Sequence, residues 1–392
     1  MKFDIWKECP KVPLPSVLLT VVDNRGKTVP TAPSGHKLIA TNCVRNENLY
    51  PVYEKIRYLS EETYRTWFRA HPEPGDIIFV CKGTPGRVCL VPDPIDFCIA
   101  QDMVALRADP KIVYNKYLLA VLRSFQIQEQ ILSTSVGDVI PHFKKSFFDQ
   151  IMIPIPNMDI QKSIGDFYYT ISEKTELNKK INDNLSDLLQ TIYQGQFGKV
   201  GLANNCGILA DICSYSKDKI EISKLSLDTY YSTENMLPEK SGAVKATSLP
   251  TTSQTTACHK GDTLISNIRP YFKKIVYCED DCGCSTDVLC FKPVHPRYTA
   301  YLFSTLYADS FFNFMVAGAK GTKMPRGDKQ QIMTYPVVLP SEKNLSEFNS
   351  VATPILTQIY SNRTESERLS AIRDTLLPKL ILGEIDVPSI QL

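Results

Sequence analysis

Residues 160–197 read IQKSIGDFYYTISEKTELNKKINDNLSDLLQTIYQGQF. Apolar or aromatic side chains recur here at steps of four and three, which places them on one face of a helix. They are Ile160, Ile164, Phe167, Ile171, Ile181, Leu185, Leu188 and Ile192. Neither Pro nor Gly interrupts the stretch between Asp166 and Gln194, and we expect Gly195 to end the helix. At about 1.5 Å per residue the helix would be roughly 50 Å long, a length typical of a coiled-coil arm.

The stretch 342–382 carries a second stripe and is the natural partner of the first. Its members are Leu345, Phe348, Ala352, Ile355, Ile359, Asn362, Ser366, Leu369, Arg373, Leu376 and Leu380. An antiparallel alignment that matches polar with polar positions sets Ile164 opposite Leu376, Ile171 opposite Leu369, Lys174 opposite Ser366, Asn178 opposite Asn362, Ile181 opposite Ile359 and Leu185 opposite Ile355. Polar seam residues cost stability but fix register. The alternative is two amphipathic helices packed on separate domains. Pro354 either begins the second helix or kinks it.

The composition is that of an ordinary globular protein. The chain has 392 residues, 43% hydrophobic residues and a formal net charge of +2, so length predicts two or three domains. No apolar stretch resembles a signal peptide or a membrane span, and twelve Cys without a secretion signal indicate reduced thiols in the cytoplasm. Cys278, Cys282, Cys284 and Cys290 lack paired C-x2-C spacing, so we expect them to fill a core rather than bind metal.

Two halves of the chain repeat the same order of features. Gly261-Asp262 before a β-rich run follows Gly75-Asp76 at an offset of 186 residues, and Pro325 follows Pro141 at an offset of 184. Each half then leads into one of the long helical stretches. The prediction is an α+β fold in which two β-rich, mixed α/β domains, 1–157 and 199–341, alternate with two long antiparallel coiled-coil helices, 158–198 and 342–392.

Basic residues concentrate in the loops that carry the repeat marks, with Tyr and Asn among them. The candidates for DNA binding are Arg25, Lys27, Lys82, Arg87, Lys144, Lys145, Asn267, Arg269, Tyr271, Lys273, Lys323 and Arg326. Such side chains neutralise phosphates and read base edges. For any one of them, solvated surface charge is the simpler explanation; their matching positions in two repeats favour DNA. We expect Arg269 and Arg326 to read bases, and Lys144, Lys145 and Lys323 to contact phosphates.

Motifs for catalysis are missing from the sequence. There is no G-x-x-x-x-G-K phosphate loop, no convincing P-D…E-x-K nuclease pattern and no N-P-P-Y methyltransferase pattern, and the five His are scattered. The interpretation is a non-catalytic recognition subunit. One alternative is a non-catalytic coiled-coil scaffold with two protein-binding domains. A fused restriction enzyme with its own nuclease or methylase is a second, which the absent motifs argue against.

The chain resembles the specificity subunit of Type I restriction–modification enzymes. The likeness is strongest at residues 369–385, LSAIRDTLLPKLILGEI, and 176–185, ELNKKINDNL, and weaker at 153–156 and 21–28. The resemblance implies two target-recognition domains, each reading one half of a gapped, asymmetric double-stranded DNA site. It implies helices that set the gap and dock two methyltransferase subunits, joined by translocase–endonuclease subunits. S-adenosylmethionine, ATP and Mg²⁺ would then belong to these partners, with no cofactor in this chain.

Overall fold

The computed structural model describes residues 4–24, 27–135, 141–198 and 205–385. The chain forms two compact units: unit 1 is Met1–Lys179 with Thr364–Leu392, and unit 2 is Lys180–Arg363. The sequence divided the chain at the ends of the long helices, whereas these units divide it within them. Each unit therefore contains one globular part and a section of both helices.

Unit 1 begins with a short helix and ends its globular part at the first long helix. Its helices are α1 (Ile5–Glu8), α2 (Glu61–Thr66), α3 (Asn115–Leu122), α4 (Phe125–Thr134) and the start of α5 (Met158–Phe197). Its strands are β1 (Lys11–Pro13), β2 (Leu18–Val22), β3 (His36–Ile39), β4 (Arg57–Leu59), β5 (Ile77–Val80), β6 (Val88–Leu90), β7 (Phe97–Ile99), β8 (Met103–Ala108) and β9 (Met152–Pro154).

The strands of unit 1 form three sheets. The largest has the order β2-β8-β5-β6, all antiparallel; a second has the order β4-β3-β7; and β1 pairs with β9. Every residue of β5 is buried, as its uninterrupted Ile-Ile-Phe-Val sequence predicts for a central strand. Helix α3 covers one face, and the hydroxyl of its buried Tyr117 donates to the Pro154 carbonyl at 2.8 Å. The core is thus a sheet, a helix pair and the start of α5.

Unit 2 repeats this order. Its strands are β10 (Cys206–Ile208), β11 (Cys213–Tyr215), β12 (Lys219–Glu221), β13 (Tyr230–Tyr231), β14 (Gln254–Cys258), β15 (Thr263–Ser266), β16 (Ile275–Tyr277), β17 (Cys282–Cys284), β18 (Val288–Pro293) and β19 (Pro336–Val338). Its helices are α6 (Thr299–Tyr307), α7 (Asp309–Ala317), α8 (Lys329–Met333) and α9 (Glu342–Ile381), the last of which runs on into unit 1.

The largest sheet and the two-stranded sheet of unit 2 match those of unit 1 in strand order. The four-stranded sheet β11-β18-β15-β16 corresponds to β2-β8-β5-β6, and β10 pairs with β19 as β1 pairs with β9. Tyr301, 184 residues after Tyr117, donates to the Val338 carbonyl at 2.5 Å. The remaining sheets differ: β12-β14-β17-β13 has four strands where unit 1 has three. The predicted two-fold repeat is therefore present, and its variation lies in the second sheet.

Two consecutive helices lie in each globular part, where the chain could have formed one. The chain breaks at Ser124, between α3 and α4, and the Ser124 hydroxyl donates to the Val121 carbonyl at 2.6 Å. The same break falls at Ala308, between α6 and α7. Both breaks let a second apolar face turn toward the core, which the local periodicity did not reveal.

The long helices pack antiparallel within each unit. In unit 1, Ile164 shares a core with Leu377 and Ile381, while Asn178 donates to Glu365 at 2.7 Å and to Ser366 at 3.2 Å. In unit 2, Asn362 donates to Asn182 at 2.8 Å, and the side chain of Asn182 donates to the Ile359 carbonyl at 3.1 Å. Most positions of the stripes therefore form seams, and polar residues occupy part of them. Leu188 of the first stripe does not belong to a seam, because it is 48% exposed.

The structure revises two expectations about the helices and excludes one of the two alternatives for Pro354. Ser366 bonds to Asn178, and Asn362 bonds to Asn182. Each of these partners lies one helical turn further along α5 than the residue that the predicted register placed there, and Lys174 pairs with Glu365 at 3.4 Å. Gly195 does not end α5, which continues to Phe197. Pro354 does not begin α9, which starts at Glu342, because earlier residues pack on unit 2 and extend the helix in front of it.

The four clustered thiols fill a core, as expected. Cys278, Cys282, Cys284 and Cys290 are buried beside Met236 and Val276 in unit 2, and all are free thiols. Across the parts of the chain that the structure describes, no set of three or more His, Cys, Asp or Glu side chains is arranged to hold a metal ion. Over the same ranges, no helix combines the length and the apolar character that a membrane span requires.

Candidate nucleic-acid interface

Two chain segments meet at one end of the large sheet in unit 1. The turn at residues 81–87 follows β5, and the segment 141–145 lies beside it. The Gly83 amide donates to the Pro141 carbonyl at 2.9 Å, and the Phe143 amide donates to the Cys81 carbonyl at 2.8 Å. Lys82 and His142 face each other in an isolated antiparallel bridge. Residues 136–140 lie outside the described residues.

Several sequence-predicted cations lie on these two segments. Lys82 and Lys144 are exposed, Arg87 is half-buried at the far end of the turn, and Lys145 forms an ion pair with Asp23. The Lys145–Asp23 ion pair brings the C-terminal end of β2 to the same end of the sheet. Lys27 is exposed further along that connection. The expected site residue Arg25 lies outside the described residues.

Unit 2 builds the same junction from corresponding residues. The Arg269 amide donates to the Pro325 carbonyl at 2.7 Å, and the Gly327 amide donates to the Asn267 carbonyl at 3.2 Å. Ile268 and Arg326 form the bridge that corresponds to Lys82 and His142. The candidate residues of the two loops, far apart in sequence, are thus adjacent in the fold.

The side chains at the unit 2 junction differ in how they are held. Arg326 is exposed and pairs with Asp287 at 3.0 Å, and Lys273 pairs with Asp309 at 3.0 Å. Tyr271 and Lys323 are exposed. Asn267 is different, because it is 93% buried and cannot reach a ligand without rearrangement. The backbone amide of Asn267 donates to the Asp287 carbonyl, so this residue supports the turn.

Sequence reasoning missed the segment that supports this turn from the other side. The Glu239 amide donates to the Phe272 carbonyl at 2.8 Å, and the Lys240 amide donates to the Lys273 carbonyl at 3.0 Å. Lys240 also pairs with Asp309 at 2.8 Å. The two lysines hold the pKa of Asp309 below its ordinary value, because both donate to its carboxylate. In the sequence only the turn-forming run Pro238–Gly242 marked this segment, and it did not indicate which residues the segment contacts.

The predicted helix-pairing residues occupy the seams to different depths. Those in unit 1 are Ile164 and Ile171, which are buried, Asn178, which is bonded as described above, and Leu369 and Leu376, which are half-buried. Those in unit 2 are Ile355, which is buried, Ile181, Leu185 and Ile359, which are half-buried, and Asn362, which is bonded to Asn182. Local periodicity found these positions because it reports which side chains share a helix face.

Fold and site define a class of protein: a duplicated α/β recognition protein whose two globular parts each pack on sections of an antiparallel helix pair. Residues 32–187, less than half of the chain, match the family model described as the Type I restriction modification DNA specificity domain. The Type I restriction enzyme MjaIX specificity subunit of Methanocaldococcus jannaschii is 20% identical over 302 residues, covering 70% of each chain. The HindI specificity subunit of Haemophilus influenzae is 23% identical over 127 residues, covering 31% of this chain and 28% of that protein.

The fold has a counterpart among solved structures. The Type I restriction–modification S subunit from M. genitalium superposes with a TM-score of 0.59 at 17% identity, over 97% of this chain and 98% of that one. At 17% identity this likeness shows a shared fold. The matched family model is that of a Type I DNA specificity domain, both relatives are specificity subunits of Type I restriction enzymes, and a solved S subunit shares the fold.

Proposed function

We propose that this chain reads DNA for a Type I restriction–modification complex and leaves the chemistry to partner subunits. Unit 1 would contact one half of a gapped, asymmetric site and unit 2 the other. Two methyltransferase subunits would dock on the helices and globular parts, and translocase–endonuclease subunits would join for restriction. S-adenosylmethionine, ATP and Mg²⁺ would be bound by those subunits. The compartment required is the cytoplasm, where host DNA lies.

One observation carries the proposal: the same junction of two loops recurs in both units, with different side chains on it. In unit 1 the junction joins Gly83 to Pro141, and in unit 2 it joins Arg269 to Pro325. Exposed cations on both junctions suit a phosphate backbone. Because the side chains differ between the units, the two half-sites would differ in sequence. Linking two weak readers raises the effective concentration of the second once the first is bound.

The direct test is co-expression of the chain with candidate methyltransferase subunits, followed by sequencing of methylated bases. The expected result is a two-part motif with a fixed gap. Lys82→Ala should relax the motif in one half, and Arg269→Ala in the other. Lys144→Ala, at an expected phosphate contact, should weaken methylation without changing the motif. Lys343→Ala is the matched control, because this exposed lysine of α9 makes only a 3.9 Å contact with Glu347. If Lys82→Ala and Arg269→Ala weakened methylation equally at all sequences, Lys82 and Arg269 would be phosphate contacts rather than base readers.

The helices offer a second, independent test. One heptad inserted into both α5 and α9 at the boundary between the units adds about 10 Å of helix, or roughly 3 base pairs of DNA. We expect the gap to lengthen by that amount while both half-sites stay unchanged. An unchanged gap in an assembled complex would contradict a spacing role. If the wild-type chain binds no duplex DNA in a salt-dependent manner and directs no two-part motif, the protein-binding scaffold is the better account.

A further inference from the structure

The turn after the central strand is equivalent in the two units but built from opposite residue types. In unit 1 it reads Gly83-Thr84-Pro85-Gly86 and in unit 2 Arg269-Pro270-Tyr271-Phe272-Lys273. The equivalence rests on bonding: the amides of Gly83 and Arg269 donate to corresponding proline carbonyls. Unit 1 thus presents almost bare backbone where unit 2 presents two aromatic rings between two cations.

The unit 2 turn adopts a backbone that its residues disfavour. Arg269 and Lys273 have φ values of 50° and 51°, whereas unit 1 places glycines with φ values of 87° at both ends of its turn. Glu239 and Lys240, whose amides bond to this turn, have φ values of 53° and 59°. Residues with a Cβ avoid this region, and such conformations concentrate at functional sites. The two strained segments are bonded to each other, so each supports the conformation of the other.

The strained turn projects apolar surface. Tyr271 is 47% exposed and Phe272 37%, and their ring centroids lie 4.8 Å apart at an interplanar angle of 55°. Met324, 49% exposed, precedes the proline that accepts the Arg269 amide bond. Single exposed apolar residues are normal on a protein surface, whereas exposed groups of them mark interaction sites. The two rings are exposed together on a turn that the segment 239–240 supports, which indicates a partner.

Charge indicates which partner this is. Within the described residues, no carboxylate forms an ion pair with Arg269 or Lys323, while Arg326 is satisfied by Asp287. Apolar wedges flanked by cations are the means by which proteins part and bend stacked base pairs. Tyr, Phe, Met and Arg are also enriched at protein interfaces, but Lys is depleted there, and the exposed Lys323 adjoins Met324 in the chain.

We propose that Tyr271, backed by Phe272, inserts into the base stack of the half-site read by unit 2. Unit 2 then reads its half-site partly through the ease of unstacking one base step, and pyrimidine–purine steps are favoured there. Unit 1, with Gly-Thr-Pro-Gly in the same place, leaves its half-site stacked. The inference rests on the proposed function and adds an asymmetry in DNA deformation between the halves.

The test uses the complete complex with its methyltransferase subunits and a duplex that carries the motif found by methylation sequencing. 2-Aminopurine, which brightens when unstacked, is placed at each position in turn. Each methyltransferase subunit extrudes its own target base, so brightening at that base is expected in both half-sites. Away from the target bases, we expect brightening at one step in the half-site of unit 2 and none in that of unit 1. Tyr271→Ala should abolish the signal and weaken binding about tenfold, the loss typical of one stacked ring. Phe125→Ala is the control, because it removes an exposed ring, 70% exposed, from unit 1.

A second variant separates folding from reading. Replacing residues 269–273 by Gly-Thr-Pro-Gly removes the rings and the strain together, and unit 1 shows that the fold accepts this turn. We expect unfolding at an unchanged or higher temperature and loss of the aminopurine signal. A signal equal to that of the wild type in either variant overturns the wedge. So does normal DNA binding with loss of methyltransferase assembly, which would make the rings a protein contact. Failure of the wild type to direct any two-part motif rejects the proposed function, and the wedge with it.

Discussion

Replacing Gly165 by alanine tests whether the start of α5 packs on α3 as closely as the structure shows. A Cβ at this position would lie 2.6 Å from the Tyr117 amide nitrogen and 2.9 Å from a ring carbon of Tyr114. The first of these atoms belongs to the backbone of another helix, so it cannot move aside alone. Gly195, further along α5, is the matched control, because a Cβ there meets nothing within 4 Å.

The two substitutions should change the free energy of unfolding in opposite directions. Alanine is favoured over glycine inside a helix by about 1 kcal/mol, and both positions gain this term. At Gly165 overpacking against backbone opposes it, at about 3 kcal/mol, the upper end of the ordinary range. We therefore expect a net loss of about 2 kcal/mol for Gly165→Ala and a gain of up to about 1 kcal/mol for Gly195→Ala. For a unit of this size the loss lowers Tm by about 4–8 °C.

The chain provides its own probe for the measurement. Its two tryptophans, Trp6 and Trp67, both pack in unit 1, so tryptophan fluorescence follows that unit while circular dichroism follows both units. Gly165→Ala should lower the midpoint detected by fluorescence. Gly195→Ala should leave that midpoint unchanged and raise the later part of the dichroism transition if unit 2 unfolds last. A midpoint for Gly165→Ala equal to or above that of the wild type would refute the close packing of α5 on α3.

Two further predictions concern unit 1 and use the same fluorescence assay. Asp76→Ala should lower the free energy of unfolding by about 2–4 kcal/mol, because this buried carboxylate accepts two 2.9 Å bonds from Arg107. The control is Arg65→Ala, which removes an exposed ion pair and should lower it by under about 0.5 kcal/mol. Equal losses would contradict a special role for the buried pair. Burial lowers the pKa of His71, which stacks on Tyr64, so the folded unit binds the proton less well than the unfolded chain and its contribution is complete above about pH 6.5. Stability should therefore fall as the pH drops below 6.5, and His71→Gln should reduce that fall; an identical pH profile would exclude this histidine as the cause.

The sequence was most informative where local spacing alone sets the structure. The stripes of α5 and α9 follow from the 3.6-residue period, and no distant residue is needed to recognise them. The repeat was visible because Gly-Asp before a strand and Pro in the later loop recur at fixed offsets. Register was harder, since Ser366 could meet either Lys174 or Asn178, and the choice depends on how the side chains of both helices interlock.

The candidate site shows the same limit. The sequence marked Arg269 and Arg326 as cations on separate loops, but only the bond from Arg269 to Pro325 and the bridge at Arg326 make them neighbours. Asn267 was a candidate for DNA binding, and the structure buries it beneath the turn. No local pattern could separate these roles, because exposure is set by whatever packs above a residue.

The amino-acid sequence by itself determined two long amphipathic helices, a duplicated α/β order and the residue types on each loop, because these depend on neighbours within a few positions. Tertiary structure alone decided where α3 ends and α4 begins, and which polar residues meet across the seam. It also decided that the segment 239–240 braces a left-handed turn at 269–273. Those features arise from contacts between residues far apart in the chain, and their energies exist only once the chain has folded.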